Sequence, residues 1–309
     1  MWLKGKQSLK FLLNDLCFDL YFKSKGLFGM LKIIFLGDVM GKPGREAVKK
    51  HLPQLIEQTQ ADFVIANGEN AAGGKGITAA IAKELYDTGI HCLTMGNHTF
   101  DRKDIHDMLR MDRKIIVPAN YIMQTDGKGY RVFNVGDKKI AVLNLLGQVF
   151  MPDKVNCPFQ FSKDFQKENR LGTDYDAMVV DFHAEATGEK CIMGHLWDGK
   201  ASLVVGTHTH IPTSDCRVQP KGTAYQTDAG MCGDYVSSLG LDLDCMLHKQ
   251  FDTRKSTWKW DIASGEGSIC GVYTEVDENG LASHVQSFQL GGSLTPKPLV
   301  LSKAKTQAA

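Results

Sequence analysis

The chain contains no run of about 18 apolar residues, so no segment reads as a membrane-spanning helix. No two of its eight cysteines form C-x-x-C, and their spacings are wide. That argues against a zinc knuckle and against a disulfide framework, and predicts reduced thiols in a cytoplasmic protein. A charge excess is also missing. Lys and Arg total 36 against 35 Asp and Glu, a formal net charge of +1. Such a surface does not coat a polyanion, although it does not exclude nucleic acid. There is no internal repeat, no low-complexity tract, and no linker rich enough in Pro, Gly or Ser to split a core. What remains is 309 residues, 43% of them hydrophobic. That suffices for one large α/β domain or two small ones.

The two ends stand apart from this. Residues 1–29 precede Met30 and the first strong strand. Their apolar run, Phe11 to Phe22, is broken by Asn14, Asp15 and Asp19, and lacks the form of a signal peptide. Two readings stay open: a weak amphipathic helix that touches a membrane or partner, or an upstream extension with Met30 as the true start. The domain is expected over 30–292, with 293–309 a disordered tail.

Between the ends, buried strands alternate with helices. Leu31–Leu36, Asp62–Ala66, Ile90–Met95 and Lys114–Val117 read as strands. Helices are expected from Pro43 to about Gln58, from Thr78 to Asp87, and from about Lys103 to Leu109. This β-α repeat implies right-handed crossovers and parallel strands. Gly129–Val135 and Lys138–Leu145 then read as an antiparallel hairpin. Residues 147–172 read as a long polar connection. Asp176–Val180 and Ala201–Val205 are strands around a helix at Ala184–Leu196, and late strands follow at 215–218, 223–227, 268–276 and 283–289. Region 231–266 yields no clear pattern. The expected fold class is α/β, with two packed mixed sheets flanked by helices.

Five polar clusters follow predicted strands: Gly37-Asp38-Val39-Met40-Gly41, Asn67-Gly68-Glu69-Asn70-Ala71, Gly96-Asn97-His98, Asp181-Phe182-His183-Ala184-Glu185, and Gly206-Thr207-His208-Thr209-His210. Ligands in α/β proteins gather outside the carboxyl ends of strands. Any one cluster could be a helix cap, a turn or a solvated charge. Five together, rich in carboxylate, amide and imidazole, point to a metal-dependent hydrolytic site. The H-x-H pair is expected to be an extended piece that sends both rings to one side.

Other signals are weaker. The glycine-rich stretch 71–78 fails the Walker spacing and lies too far past its strand for a dinucleotide fingerprint. Thr78 is expected to cap the next helix. Lys42 and Arg45 either hold a substrate phosphate or sit on a solvated helix face. Tyr235, in the loop Thr227–Tyr235, is a candidate for stacking on a base. Asp101 is a candidate for orienting a neighbouring loop or helix start, and Glu185 for supporting the site or for starting a helix.

The order GD, GEN, GNH, H and GTHTH resembles the calcineurin-like metallophosphoesterases. GDVMGKPGR, NGENAAGGKGIT, GNHTFD, DFHAEATGEK and GTHTHIPTSD resemble the bacterial YmdB-type phosphodiesterases in particular, over about residues 30–292. The resemblance implies a four-layer fold, two metal ions per chain, and phosphodiester hydrolysis by a dinuclear metal-hydroxide mechanism, including hydrolysis of cyclic nucleotides. It implies Asp38, Glu69, Asn70, Asn97, His183, His208 and His210 as ligands. Glu69 would bridge; Asp38, Asn70 and His210 would complete one ion, and Asn97, His183 and His208 the other. An oxygen- and nitrogen-rich shell suits iron, with manganese or zinc as alternatives. His98 would act as general acid. The chain departs from the wider superfamily, which usually has a histidine where Met40 stands and an aspartate where Glu69 stands; both departures fit the YmdB-type group. A phosphomonoesterase remains the nearest enzymatic alternative. The alternative of another class is a metal-binding regulator acting through an RNA-processing protein partner. A homo-oligomer is compatible with the sequence, and no substrate-binding residue is assigned by it.

Overall fold

The computed structural model describes residues 30–122, 127–251 and 261–301. The expectation for residues 1–29 lies outside the described residues. The packed body begins at Leu31.

Its first sheet is built on β1 (Leu31–Val39), which runs parallel to β2 (Phe63–Asn67), followed by β3 (Cys92–Thr94) and β4 (Ile115–Ile116). On the other side of β1 lie β12 (Ile269–Val276) and β13 (Ala282–Leu290), both antiparallel to their neighbours. The short β11 (Met231–Cys232) pairs in parallel with the end of β1 at Asp38 and Val39. The second sheet has β5 (Tyr130–Val135), β6 (Lys138–Leu146), β7 (Ala177–His183), β8 (Leu203–Thr207), β10 (Ala224–Gln226) and β9 (Arg217–Val218), in that spatial order. Its four central strands are parallel, and its two edges are antiparallel.

Strand alternation explains the layers. Ile33 and Phe35 face the second sheet, where they join Ile140, Val142, Val179, Leu203 and Val205 in the central core. Ile34 and Leu36 face outward, into a core covered by α1 (Gly41–Thr59), α2 (Ala79–Asp87) and α3 (Ile105–Met111). On the far side, Leu143, Leu145, Val180 and Phe182 pack with Met193 and Trp197 of α5 (Thr187–Trp197). The result is helix, sheet, sheet, helix, as the sequence predicts. All seven residues of β7 are buried, as befits a strand covered on both faces.

Several expectations need correction. The connection 147–172 holds a helix, α4 (Pro158–Glu168), which opens on a proline suited to a helix start. Its Phe165 packs edge-on to Tyr130, 4.8 Å between ring centres, and against Trp197. Region 231–266 supplies β11 and a further helix, α6 (Leu243–Phe251). The tail also differs over 293–301. Lys297 exchanges backbone hydrogen bonds with Gln289, and Leu299 is buried in the outer core beside α1. The sheet edge at β13 offers unpaired backbone groups, and this segment satisfies two of them.

Candidate active site

The five clusters come together, but not along one sheet edge. Asp38 lies at the end of β1, and Glu69 and Asn97 follow β2 and β3 of the first sheet; His183 ends β7 and His208 follows β8 of the second. The site therefore straddles the carboxyl ends of both sheets. Asp38 and His183 are fully buried, Glu69 and Asn70 almost so.

The H-x-H segment is not the extended piece expected. β8 ends at Thr207, and His208 and His210 take left-handed backbones with φ of 98° and 66°. Both are unfavourable for non-glycine residues, and the surrounding structure must hold them. The side chain of buried Asp228 does so. Its Oδ2 accepts from Thr209 Oγ1 at 2.7 Å and from Thr209 N at 3.2 Å, and its Oδ1 accepts from Gly230 N at 2.8 Å. Lys190 Nζ donates to the same carboxylate at 2.6 Å from an equally buried position. At Gly206 a Cβ would lie 1.8 Å from the Thr227 carbonyl oxygen, so only glycine permits that approach.

Hydrogen-bond accounting reveals what the centre lacks. Thr207 Oγ1 donates to Asp181 Oδ1 at 2.7 Å, so toward His183 Nδ1, 2.9 Å away, it can only accept. His183 Nδ1 therefore carries the proton, and in the neutral ring Nε2 presents a lone pair. That lone pair faces Glu69 Oε1, Asn97 Oδ1 and His208 Nδ1, each at 3.1 Å. Beside this set, His210 Nδ1 donates to the Leu239 carbonyl at 2.9 Å, which leaves its Nε2 lone pair facing Asn70 Oδ1 at 3.2 Å. The Asn70 amide is oriented by Nδ2 donating to the Gly74 carbonyl at 2.9 Å. Asp38 Oδ2 accepts the His208 N–H at 3.0 Å, while Oδ1 is buried with no hydrogen-bond partner, 3.7 Å from His183 Nδ1. Electron pairs converge from carboxylate, amide and imidazole with too few protons between them. Glu69, His183 and His208 can each offer an atom within 4.8 Å of the others, as metal ligands would. The outer ring nitrogens of His183 and His210 are held by a hydroxyl and a carbonyl, the supports that metal-bound imidazoles usually have.

The electrostatics agree. Burial works against charge on His183, but Glu69, Asp38 and Asp181 raise its pKa to about 9. The proton drawn there stands in for the cation that the carboxylates demand. Burial would raise Glu69, yet His183 and His98 bring it down to about 2. Burial and the neighbouring His183 lower His208 to about 3. Burial keeps Asp38 raised.

His98 sits at the rim. Its backbone N–H donates to Glu69 Oε2 at 2.9 Å, and its Nδ1 lies 2.9 Å from Asp101 Oδ2. Asp101 thus orients the ring. Glu185 lies 3.2 Å from His208 Nε2 and supports that imidazole. A cavity of about 850 Å³ opens over the centre, with Glu69, Asn70, Lys75, His98, Arg102, His208 and His210 on its wall, and an apolar side of Met40, Leu239, Leu241 and Ile262.

One other reading does not fit. Tyr235 is half-buried and off the cavity wall, and its hydroxyl bonds the backbone of Met231 and His210, so it does not face the cavity to stack on a base. Arg45 braces the glycine loop through the Ala71 carbonyl at 2.7 Å. Thr78 caps α2 as expected, accepting from Ile81 N. Sequence reasoning missed the supports Asp181, Lys190 and Asp228. Asp181 stands in one of the five polar clusters and Asp228 in the loop Thr227–Tyr235, but no local pattern gives them or Lys190 a supporting role.

The family profile described as "YmdB-like protein" matches residues 34–288. The chain belongs to the YmdB-like family. A Bacillus subtilis relative described as 2′,3′-cyclic-nucleotide 2′-phosphodiesterase is 42% identical over 248 residues, covering 80% of this chain and 92% of the relative. A solved structure described as a novel phosphatase from Mycoplasma pneumoniae superposes with a TM-score of 0.79 at 35% identity, covering 85% of this chain and 94% of that one. A Thermus thermophilus protein described as hypothetical gives 0.78 at 35% identity, covering 85% of this chain and all of that one. The fold of these two solved structures is thus the one described above.

Proposed function

We propose that the chain is a metal-dependent phosphodiesterase acting on small phosphodiesters, with cyclic nucleotides as the substrate class. The observation that carries this is the surplus of buried lone pairs around His183 Nε2 and Asp38 Oδ1. Asp38, Asn70 and His210 would hold one ion, Asn97, His183 and His208 a second, with Glu69 shared between them. Iron is the first choice for this donor set, with manganese or zinc as alternatives. Metal ions there would supply positive charge to the phosphoryl oxygens and acidify a water at neutral pH.

The remaining work falls to the chain. Lys75 and Arg102 place positive charge on the cavity wall, where the anionic ester must rest. The apolar side of Met40, Leu239, Leu241 and Ile262 suits a nucleoside. His98, oriented by Asp101, would protonate the departing alkoxide as general acid. The name of the Bacillus relative supports the 2′,3′-cyclic class. Metal-loaded protein should hydrolyse bis(p-nitrophenyl) phosphate and a 2′,3′-cyclic nucleotide, and Glu69→Gln or Asp38→Asn should abolish both activities. Full activity in either variant refutes the assignment, and faster turnover of monoesters than of diesters would make it a phosphomonoesterase.

A further inference from the structure

A second cavity, of about 500 Å³, adjoins the first at the N-terminal end of α1. Gly73, Arg102 and Ile262 line both cavities, so the two share a wall. Its volume lies in the range of small-ligand pockets, roughly 300–1,000 Å³. Three cations border it: Lys42, Arg45 and Arg102. Two are fixed in place. Arg45 bonds Ala71 and Glu84, and Arg102 bonds the Lys75 and Ala72 carbonyls. Lys42 is not. Its one ion pair among the described residues, to Glu46 at 3.5 Å, joins two largely exposed side chains and is readily exchanged for another anion. The first turn of α1 carries no acidic residue, so the helix end adds to the positive field. The carboxylates that oppose it are Glu46 and Glu84.

Resting on the phosphodiesterase reading, we propose that this cavity is an anion subsite for a second phosphate of the substrate. The preferred substrate is then a short oligonucleotide that ends in a cyclic phosphate, rather than a cyclic mononucleotide. The cyclic ester lies over the metal ligands, its nucleoside along Met40 and Ile262, and the preceding internucleotide phosphate beside Lys42. The mononucleotide leaves the second cavity empty.

The test compares adenosine 2′,3′-cyclic phosphate with a diadenosine dinucleotide ending in the same group. Wild-type protein should show the higher kcat/KM on the dinucleotide, and added salt should shrink that advantage. Lys42→Glu and Ser264→Glu place negative charge on two separate lining segments, at exposed positions that are not proposed metal ligands. Each should lower kcat/KM on the dinucleotide roughly ten-fold while the mononucleotide changes less than about two-fold. The mononucleotide rate doubles as the check on folding. Equal effects on both substrates, or no dinucleotide advantage in wild type, would overturn the subsite and leave the phosphodiesterase reading intact. Failure to hydrolyse either nucleotide, with bis(p-nitrophenyl) phosphate still cleaved, would overturn the nucleotide reading and the subsite with it.

Discussion

Asp228→Ala should damage the metal centre without touching a proposed ligand. The carboxylate is completely buried and its partner Lys190 is 2% exposed. Removing Asp228 leaves the ammonium buried and unpaired, which costs about 3–5 kcal/mol. The bonds lost by Thr209 and Gly230 add on the order of 1–3 kcal/mol, less any overlap between the two effects. His208 and His210 then lose what holds them at left-handed φ, where each stores about 1–3 kcal/mol of backbone strain. The turn should relax, and metal affinity should fall about 10–100-fold, as when supports of metal ligands are removed. Urea unfolding of chelator-treated protein reads the first effect, and calorimetric titration with Mn²⁺ the second. The double variant Asp228→Asn, Lys190→Met separates charge from hydrogen bonding. Its amide oxygen still accepts from Thr209, no charge is stranded, and both stability and affinity should recover most of the loss. An Asp228→Ala protein with wild-type affinity would refute the idea that this pair holds the turn. A double variant as unstable as the single would refute the buried-charge argument.

Three further outcomes are expected. Gly96→Ala puts a methyl 2.2 Å from Glu69 Oε2 and 2.4 Å from His183 Nε2, so it should abolish activity and metal binding at a stability cost of about 1–3 kcal/mol, read by calorimetric titration and denaturation. His98→Ala should slow diesters with poor leaving groups at least ten-fold more than p-nitrophenyl esters, with Asp101→Asn intermediate; equal losses would remove His98 as the acid. His91 Nδ1 accepts the Val64 N–H at 3.0 Å, and burial and Lys114 lower its pKa below 6.5. The unfolded chain then binds more protons, so stability should fall as pH drops below about 6.5, toward the lowered folded value. His91→Asn keeps an acceptor without titrating, and unfolding midpoints at pH 7.5 and 5.5 should differ less in it than in wild type.

Periodicity alone revealed the alternation of strand and helix, because buried parallel strands read as unbroken apolar runs and each ends in glycine or a polar turn. The five polar clusters were legible for the same reason, since each sits just past such a run; the seven proposed ligands within them were singled out by the resemblance to YmdB-type phosphodiesterases. The helix α4 was not, since its apolar face depends on Tyr130 and Trp197, which lie on other elements. The segment 293–301 looked like a tail because Pro296 and Pro298 break any strand or helix pattern in it; its order comes from the edge of β13, a partner no local pattern displays.

The sequence by itself determined which residue types stand at strand ends, and therefore that a polar, metal-hungry edge would form. Which of them meet was decided by tertiary structure. Sheet packing brings His183 and His208 from one sheet against Asp38, Glu69 and Asn97 from the other, a contact that spans up to 170 residues of chain. Only there do lone pairs outnumber protons. The buried Lys190–Asp228 pair that bends the H-x-H turn likewise exists only once helix α5 lies on the second sheet, because neither side chain could be buried without the other.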